Sequence, residues 1–298
     1  MNIKIVQHLM PWELDYALLS FTQLKKSKYY LSGEDNITIE TCLNLSSHII
    51  NWNESKLPKE YFLEKYNEIS KLLVDYNHVK KVYKDNQLYG HLDLQREATS
   101  PEIDYYMYIC PDMYFSEHLL SLVIEGAKQV KNKHFIITPQ IPRLWDDTWE
   151  VLMNPQYQKV DYNDWDNQDT FDIIHNDTNS KENIQLTPIS NFKFAGWFDL
   201  YSKSFWEDLV PVWDEWKGYG SWDWYSMVVS EHFKAKGGDI QQYILKGKTI
   251  FEYPVGNLKE GGFHSYYKNN LTLNDIKDQR DGFKSNVPKY VRHRVNQL

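Results

Sequence analysis

The residue best placed for metal chemistry is Asp112, which follows a short run of aromatic and β-branched residues. Tyr105–Ile109 has the composition of a buried strand, and Pro111 cannot continue a central ladder. Asp112 is therefore expected just beyond the carboxyl end of a strand, where ligands bind in open α/β sheets. Mg²⁺ and Mn²⁺ take oxygen ligands from one or two carboxylates and from phosphates. The sequence thus predicts that Asp112 is a metal ligand.

Two glycine-containing segments further along the chain hold other candidates. His264 follows a glycine pair and could add a nitrogen ligand if the fold returns it to the same crevice; it could equally be a loop histidine beside tyrosines. Asp223 ends the segment 218–223, in which glycines stand at the first and third positions. No buried strand precedes that segment, so a dinucleotide-binding loop is disfavoured. Asp223 is expected either to cap a helix or to act as a general base.

Aromatic residues surround the segment 218–223. The chain has 11 Trp, 22 Tyr and 13 Phe, most of which are expected in the core. Tryptophan faces also suit sites that hold sugars or bases. Four tryptophans are candidates for such stacking: Trp213, Trp216, Trp222 and Trp224. The first two are three residues apart and could instead pack as one helix stripe.

Alternating strand and helix patterns must position these residues. Strands are predicted over residues 3–9, 38–44, 80–83, 105–109 and 134–139, and helices over 12–25, 57–76 and 116–131. Residues 87–98 are predicted to hold a loop and the start of a helix. This alternation implies right-handed βαβ units and a mostly parallel sheet. Further on, strands are predicted at 192–201, 240–245 and 249–253, and helices at 203–217 and 224–236. The acidic stretch 161–181 has the composition of a surface loop.

Composition and charge restrict the class of protein. A chain of 298 residues with 25% charged and 42% hydrophobic residues is ordinary for a globular protein. Its net charge of −8 disfavours broad binding to a phosphate backbone. Two cysteines make a disulfide framework improbable, and no run approaches the roughly 18 apolar residues of a membrane span. Because the first residues lack the features of a signal peptide, we expect a soluble cytoplasmic protein.

The order of these motifs resembles that of GT-A type glycosyltransferases, the nucleotide-sugar-dependent class built on a Rossmann-like sheet, and in particular inverting, family-2-like members. Residues 3–25 occupy the place of that class's nucleotide-binding start, and residues 90–98 resemble its segment before the metal strand. Cys110-Pro111-Asp112 stands where the Asp-x-Asp motif falls. Residues 218–223 resemble the later segment of this class whose acid is the catalytic base. His264 resembles the histidine that completes the metal site late in the chain of many members.

The resemblance implies a site and a reaction. His8, Asp93 and Arg96 would bind the donor, a nucleotide-diphosphate sugar and most simply a UDP-sugar. Asp112 and His264 would hold Mn²⁺ or Mg²⁺, and Asp223 would take the proton from an acceptor hydroxyl, with inversion. The four tryptophans would line the acceptor side.

Two departures from the family pattern stand out. Cys110 replaces the first acid of the metal motif, which would weaken metal binding or bring in water. Trp222-Asp223 replaces the usual Glu-Asp pair, so one carboxylate is available there.

The resemblance also implies a division of the chain. Residues 1–265 would form the transferase domain, with 1–140 as its nucleotide-sugar half and 185–265 as its acceptor half. Residues 266–298 would be a helical extension.

Other functions remain open at this point. The same fold could glycosylate a hydroxymethylated base in viral DNA, gripping an extruded base with its aromatic cluster and basic C-terminus, although the acidic balance opposes this. The substitution at Cys110 also permits a non-catalytic protein that binds carbohydrate or nucleotide. Metal-dependent hydrolysis of a sugar nucleotide would separate this last possibility from the two transferases.

Overall fold

The structure is a computed structural model, and it describes residues 1–46, 57–85, 90–140, 184–190, 192, 198–210, 222–252 and 296–297. The strands are β1 (Asn2–Leu9), β2 (Asn36–Asn44), β3 (Asn77–Tyr83), β4 (Tyr105–Ile109), β5 (Met113–Tyr114), β6 (His134–Gln140), β7 (Leu186–Ile189), β8 (Phe198–Ser202), β9 (Ile240–Thr249) and β10 (Phe251–Glu252). The α-helices are α1 (Leu14–Ser27), α2 (Lys59–Ser70), α3 (His91–Ala98), α4 (Leu119–Ala127), α5 (Lys203–Leu209) and α6 (Trp222–Ala235).

One large sheet is the framework of the described chain. Its eight strands follow the order β3-β2-β1-β4-β8-β6-β9-β7, while β5 and β10 pair in a separate ribbon. Strands β3, β2, β1 and β4 are parallel to one another, and β6 is parallel to β9. Strand β8 runs antiparallel to β4 and β6, and β7 antiparallel to β9. The expected α/β fold with a mostly parallel, Rossmann-like central sheet is therefore confirmed.

Helices cover both faces of this sheet, which gives β1 a buried environment on each side. Ile3, Ile5 and Leu9 belong to a core cluster with residues of α1, α2 and α4. Val6, on the opposite face, belongs to a second cluster with residues of α3, α5 and α6. Strand side chains alternate between faces, so these two clusters follow from the pattern of β1. The burial on both faces fixes the position of the carboxyl end of β1.

The segment after β4 differs from its prediction. The sequence suggested that the chain passes from Asp112 directly into a helix near Ser116. The structure instead places β5 next, and α4 begins at Leu119. Met113 and Tyr114 are buried and pair antiparallel with Glu252 and Phe251. This pairing partner is distant in sequence, so local patterns could not indicate it.

Several predicted segments lie outside the described residues. They include the acidic stretch 161–181, the segment 211–221 and, apart from residues 296–297, the proposed extension 266–298. In the part of the chain that the structure describes, no helix has the length and apolar character needed to cross a membrane.

Candidate functional site

The carboxyl ends of β1 and β4 lie side by side. The two strands are parallel neighbours, with Val6 opposite Tyr108. From β1 the chain moves outward to β2 and β3, and it then returns to add β4 on the other side of β1. The direction of winding therefore reverses between β1 and β4. Ligands of open α/β sheets bind in the crevice outside the strand ends at such a switch point.

A short turn after β1 brings Glu13 to this switch point. Residues Pro11–Glu13 form a single 3₁₀ turn, and the proline suits its first position. The Met10 backbone N–H donates to Glu13 Oε2 at 2.8 Å, while the Glu13 N–H donates to the Met10 carbonyl at 3.0 Å. The bond to Oε2 is the half of a capping box in which the third residue's carboxylate returns to the N-cap N–H, and it holds the Glu13 carboxylate in place.

Asp112 occupies the matching position after β4. Buried residues of the strand precede it, and the buried pair Met113–Tyr114 follows it. The residue is only 8% exposed. The expectation that Asp112 lies just beyond the carboxyl end of a buried strand is confirmed; its metal-binding role remains a prediction.

Burial changes the acidity of both carboxyl groups. It raises the pKa of Asp112 to about 7, against a smaller lowering by the backbone N–H of the same residue. The pKa of Glu13 is also raised, first by burial and then by the charge of Asp112, against a smaller lowering by its hydrogen bond from Met10. In the described chain, no Lys, Arg or His forms an ion pair with either carboxylate. The two acids thus form a pair of like charges that lacks a cationic partner among the described residues.

This pair predicts a pH dependence of stability in metal-free buffer. Consider a carboxyl group whose pKa in the folded state is higher than the usual value near 4. Its contribution to the free energy of unfolding is fully present at low pH and is lost as pH rises through the folded pKa. We expect the free energy of unfolding to fall between about pH 5 and pH 8. Denaturant titrations of the wild type and of Asp112→Asn at both pH values measure this. A smaller fall in the variant is expected, and parallel pH profiles would contradict the assignment.

Three further polar groups lie close to the strand ends. The Tyr108 hydroxyl is buried, and its pKa is raised well above its usual value by burial and by the charges of Cys110, Glu13 and Asp112. On β8, Asp199 lies opposite Tyr108, is fully buried and accepts a hydrogen bond from the Tyr201 hydroxyl at 2.9 Å. The position of Asp199 opposite Tyr108 was not predicted, because it depends on the pairing of β8 with β4.

The three predicted donor-binding residues have described positions. His8 is the buried penultimate residue of β1, two positions beyond Val6 and therefore on the same face of the sheet. Asp93 accepts a hydrogen bond from the Gly90 N–H at 2.7 Å and another from Arg96 Nη1 at 2.9 Å. Asp93 thus caps the start of α3 and pairs with Arg96 one turn later. Donor binding by these residues remains a prediction.

The predicted catalytic and acceptor residues are described only in part. Helix α6 is confirmed, but it begins at Trp222, two residues before the predicted start. Asp223 therefore lies within the first turn and is not the N-cap residue, which one of its two expected roles required. Trp213, Trp216 and His264 lie outside the described residues. No cluster of three or more His, Cys, Asp or Glu side chains suited to a metal ion occurs within the described ranges.

Comparisons with known proteins give likenesses of structure alone. No protein-family model and no curated protein matches the chain. The crystal structure of S. aureus TarS 1–349 in complex with UDP is similar over 84% of this chain and 60% of that chain, with 12% identity and a TM-score of 0.43. GalNAc-T7 with UDP, GalNAc and Mn²⁺ is similar over 86% of this chain and 45% of that one, with 11% identity and a TM-score of 0.46.

The chain therefore spans less than two thirds of the length of either protein. Likenesses at this identity and TM-score do not assign an activity, so a functional proposal must depend on the residues of this chain.

Proposed function

We propose that this protein is a GT-A type glycosyltransferase that moves a sugar from a nucleotide-diphosphate donor to an acceptor hydroxyl with the help of a divalent cation. One observation carries the proposal: a buried carboxylate, Asp112, stands just beyond β4 at the topological switch point of a mostly parallel sheet. The UDP-sugar expected from the sequence resemblance is the preferred donor.

The residues at this point fit a hard divalent cation. Mg²⁺ and Mn²⁺ prefer oxygen ligands, and Asp112 supplies carboxylate oxygens that have no ion-pair partner among the described residues. A bound cation would offset the negative charge that develops on the leaving diphosphate. Asp112 would hold it, and His264 is proposed as an additional ligand.

The remaining residues have roles in binding and proton transfer. We assign the general base to Asp223, which would accept the proton of the attacking hydroxyl as the anomeric carbon passes through an oxocarbenium-like state. Its position in the first turn of α6 supports this assignment, because that helix follows the glycine-containing segment 218–220. A single base at this position favours inversion. His8, Asp93 and Arg96 are proposed to contact the donor, and the four tryptophans the acceptor.

A non-catalytic nucleotide- or carbohydrate-binding protein is the second candidate. Cys110 stands in place of the first acid of the metal motif, and a thiol is a poor ligand for Mg²⁺. Such a protein would bind a nucleotide sugar without releasing its sugar. For the transferase, a hydroxyl of a glycan or small molecule is the proposed acceptor, with a modified DNA base as the alternative.

Thermal unfolding with a panel of nucleotides and nucleotide sugars tests the proposal. Ligands that bind the native state stabilise it by mass action and so raise the melting temperature. At a ligand concentration one hundred times Kd, the free energy of unfolding increases by about 2.7 kcal/mol. We expect a rise in melting temperature that requires both Mn²⁺ and one nucleotide sugar and that EDTA abolishes. Hydrolysis of that sugar nucleotide would then distinguish the enzyme from the binding protein. The absence of any rise across the panel would contradict a nucleotide-sugar site.

A further inference from the structure

We infer that Glu13 supplies the second carboxylate of the cation site, and that it does so in place of the acid that Cys110 has replaced. This inference rests on the proposed function, since it concerns the same cation. It adds a ligand from β1, a different part of the chain from the metal motif, and the sequence resemblance does not indicate such a ligand.

Strand pairing places the two carboxylates together. β1 and β4 run parallel in register, and Glu13 and Asp112 follow their respective carboxyl ends at nearly equal distances along the chain. The charge of Asp112 acts on Glu13, and the buried Tyr108 hydroxyl experiences both charges. The two acids therefore lie near each other at the switch point, and the volume between them is the proposed cation site.

Glu13 is also held ready to bind a ligand. Its Oε2 accepts the Met10 N–H, which fixes the orientation of the carboxylate and leaves Oε1 for another partner. Met10 itself is buried. A carboxylate that a backbone N–H already orients loses little conformational freedom when it binds a metal. Other metal sites likewise have ligands that are held by neighbouring groups.

The motif alone provides a single carboxylate. Cys110 precedes Asp112 by two residues, and the charges around the buried Tyr108 hydroxyl include the Cys110 thiol. Sulfur ligands suit softer ions than Mg²⁺ or Mn²⁺. Glu13 restores a pair of carboxylates at the site without any change in the fold.

An independent observation indicates that this volume takes a ligand. Asp112 is more than nine-tenths buried. Among the described residues its carboxylate forms no ion pair, and the hydrogen bond that lowers its pKa comes from its own backbone N–H. Buried charges in proteins are normally paired or coordinate a metal. A divalent cation would satisfy Asp112 and Glu13 together, and diphosphate and water oxygens would complete its shell.

Binding of Mn²⁺ in the presence of UDP tests this inference without measuring turnover. Free Mn²⁺ can be followed by its electron paramagnetic resonance signal in titrations of the wild type, Glu13→Gln, Asp112→Asn and the control Asp15→Asn. Glutamine keeps an acceptor for the Met10 N–H, so Glu13→Gln should fold, and circular dichroism checks this. Asp15 is an exposed acid two residues away, at the start of α1. We expect both site variants to weaken Mn²⁺ binding by at least about tenfold, and Asp15→Asn to match the wild type.

The possible outcomes separate the inference from the proposed function. If Glu13→Gln binds Mn²⁺ like the wild type while Asp112→Asn does not, the role of Glu13 is wrong and the transferase proposal stands. If the wild type itself binds no Mn²⁺, both are wrong. The double variant Glu13→Gln/Cys110→Asp is expected to recover affinity relative to Glu13→Gln, because it restores the acid of the motif; no recovery would contradict the idea of replacement.

Discussion

The Asp112→Asn variant is expected to lose metal-dependent turnover of its nucleotide sugar by at least about 100-fold, because it removes a charged oxygen ligand from the site where the leaving group develops charge. Asparagine has nearly the same shape, so the buried turn after β4 should be preserved. Release of nucleotide diphosphate, measured over a range of Mn²⁺ concentrations, provides the rate.

Asp75→Asn is a suitable control for this variant. Asp75 is an exposed acid between α2 and β3, remote in the fold from the carboxyl ends of β1 and β4. Its substitution should leave turnover and Mn²⁺ dependence unchanged. An Asp112→Asn protein that is folded and turns over donor at the wild-type rate would show that the cation is held elsewhere.

The Asp223→Asn variant is expected to reduce sugar transfer by about 10²–10⁴-fold, the range that a positioned general base contributes. Donor binding should persist, because the base acts on the acceptor hydroxyl and the cation site is retained. The two measurements are therefore the transfer rate to an acceptor and the rise in melting temperature caused by Mn²⁺ with the nucleotide sugar.

Glu231→Gln provides the matched control on the same helix. Glu231 is exposed near the C-terminal half of α6, so the change removes a carboxylate of this helix without altering its first turn. Its transfer rate should equal that of the wild type. If Asp223→Asn transfers sugar normally while keeping the donor-induced rise, another group must accept the proton.

Local sequence patterns were sufficient to predict the strand that carries Asp112. Three tyrosines and an isoleucine within five residues, with a proline two residues beyond, favour a strand that stops, and the burial of Tyr106 to Ile109 agrees. The parallel sheet followed from the regular alternation of strands and helices over the first part of the chain. Both inferences use information within a few tens of residues.

Glu13 could not be found in the same way. By itself it is an acid in a short turn after a strand, and nothing in the residues around it indicates a metal. Its proximity to Asp112 depends on β4 lying next to β1 on the side opposite β2, which is a property of the sheet order. The same holds for Asp199, which reaches Tyr108 through the antiparallel β8.

The pairing of β5 with β10 has a consequence for chain entropy. Glu252 lies opposite Met113, the residue after Asp112, so the chain that continues from Glu252 starts beside the site. A fully extended chain from Glu252 to His264 spans at most about 40 Å. Short flexible tethers in general correspond to effective concentrations in the millimolar range. Contacts that this segment makes with a bound donor would cost much less entropy than the same contacts from a separate molecule.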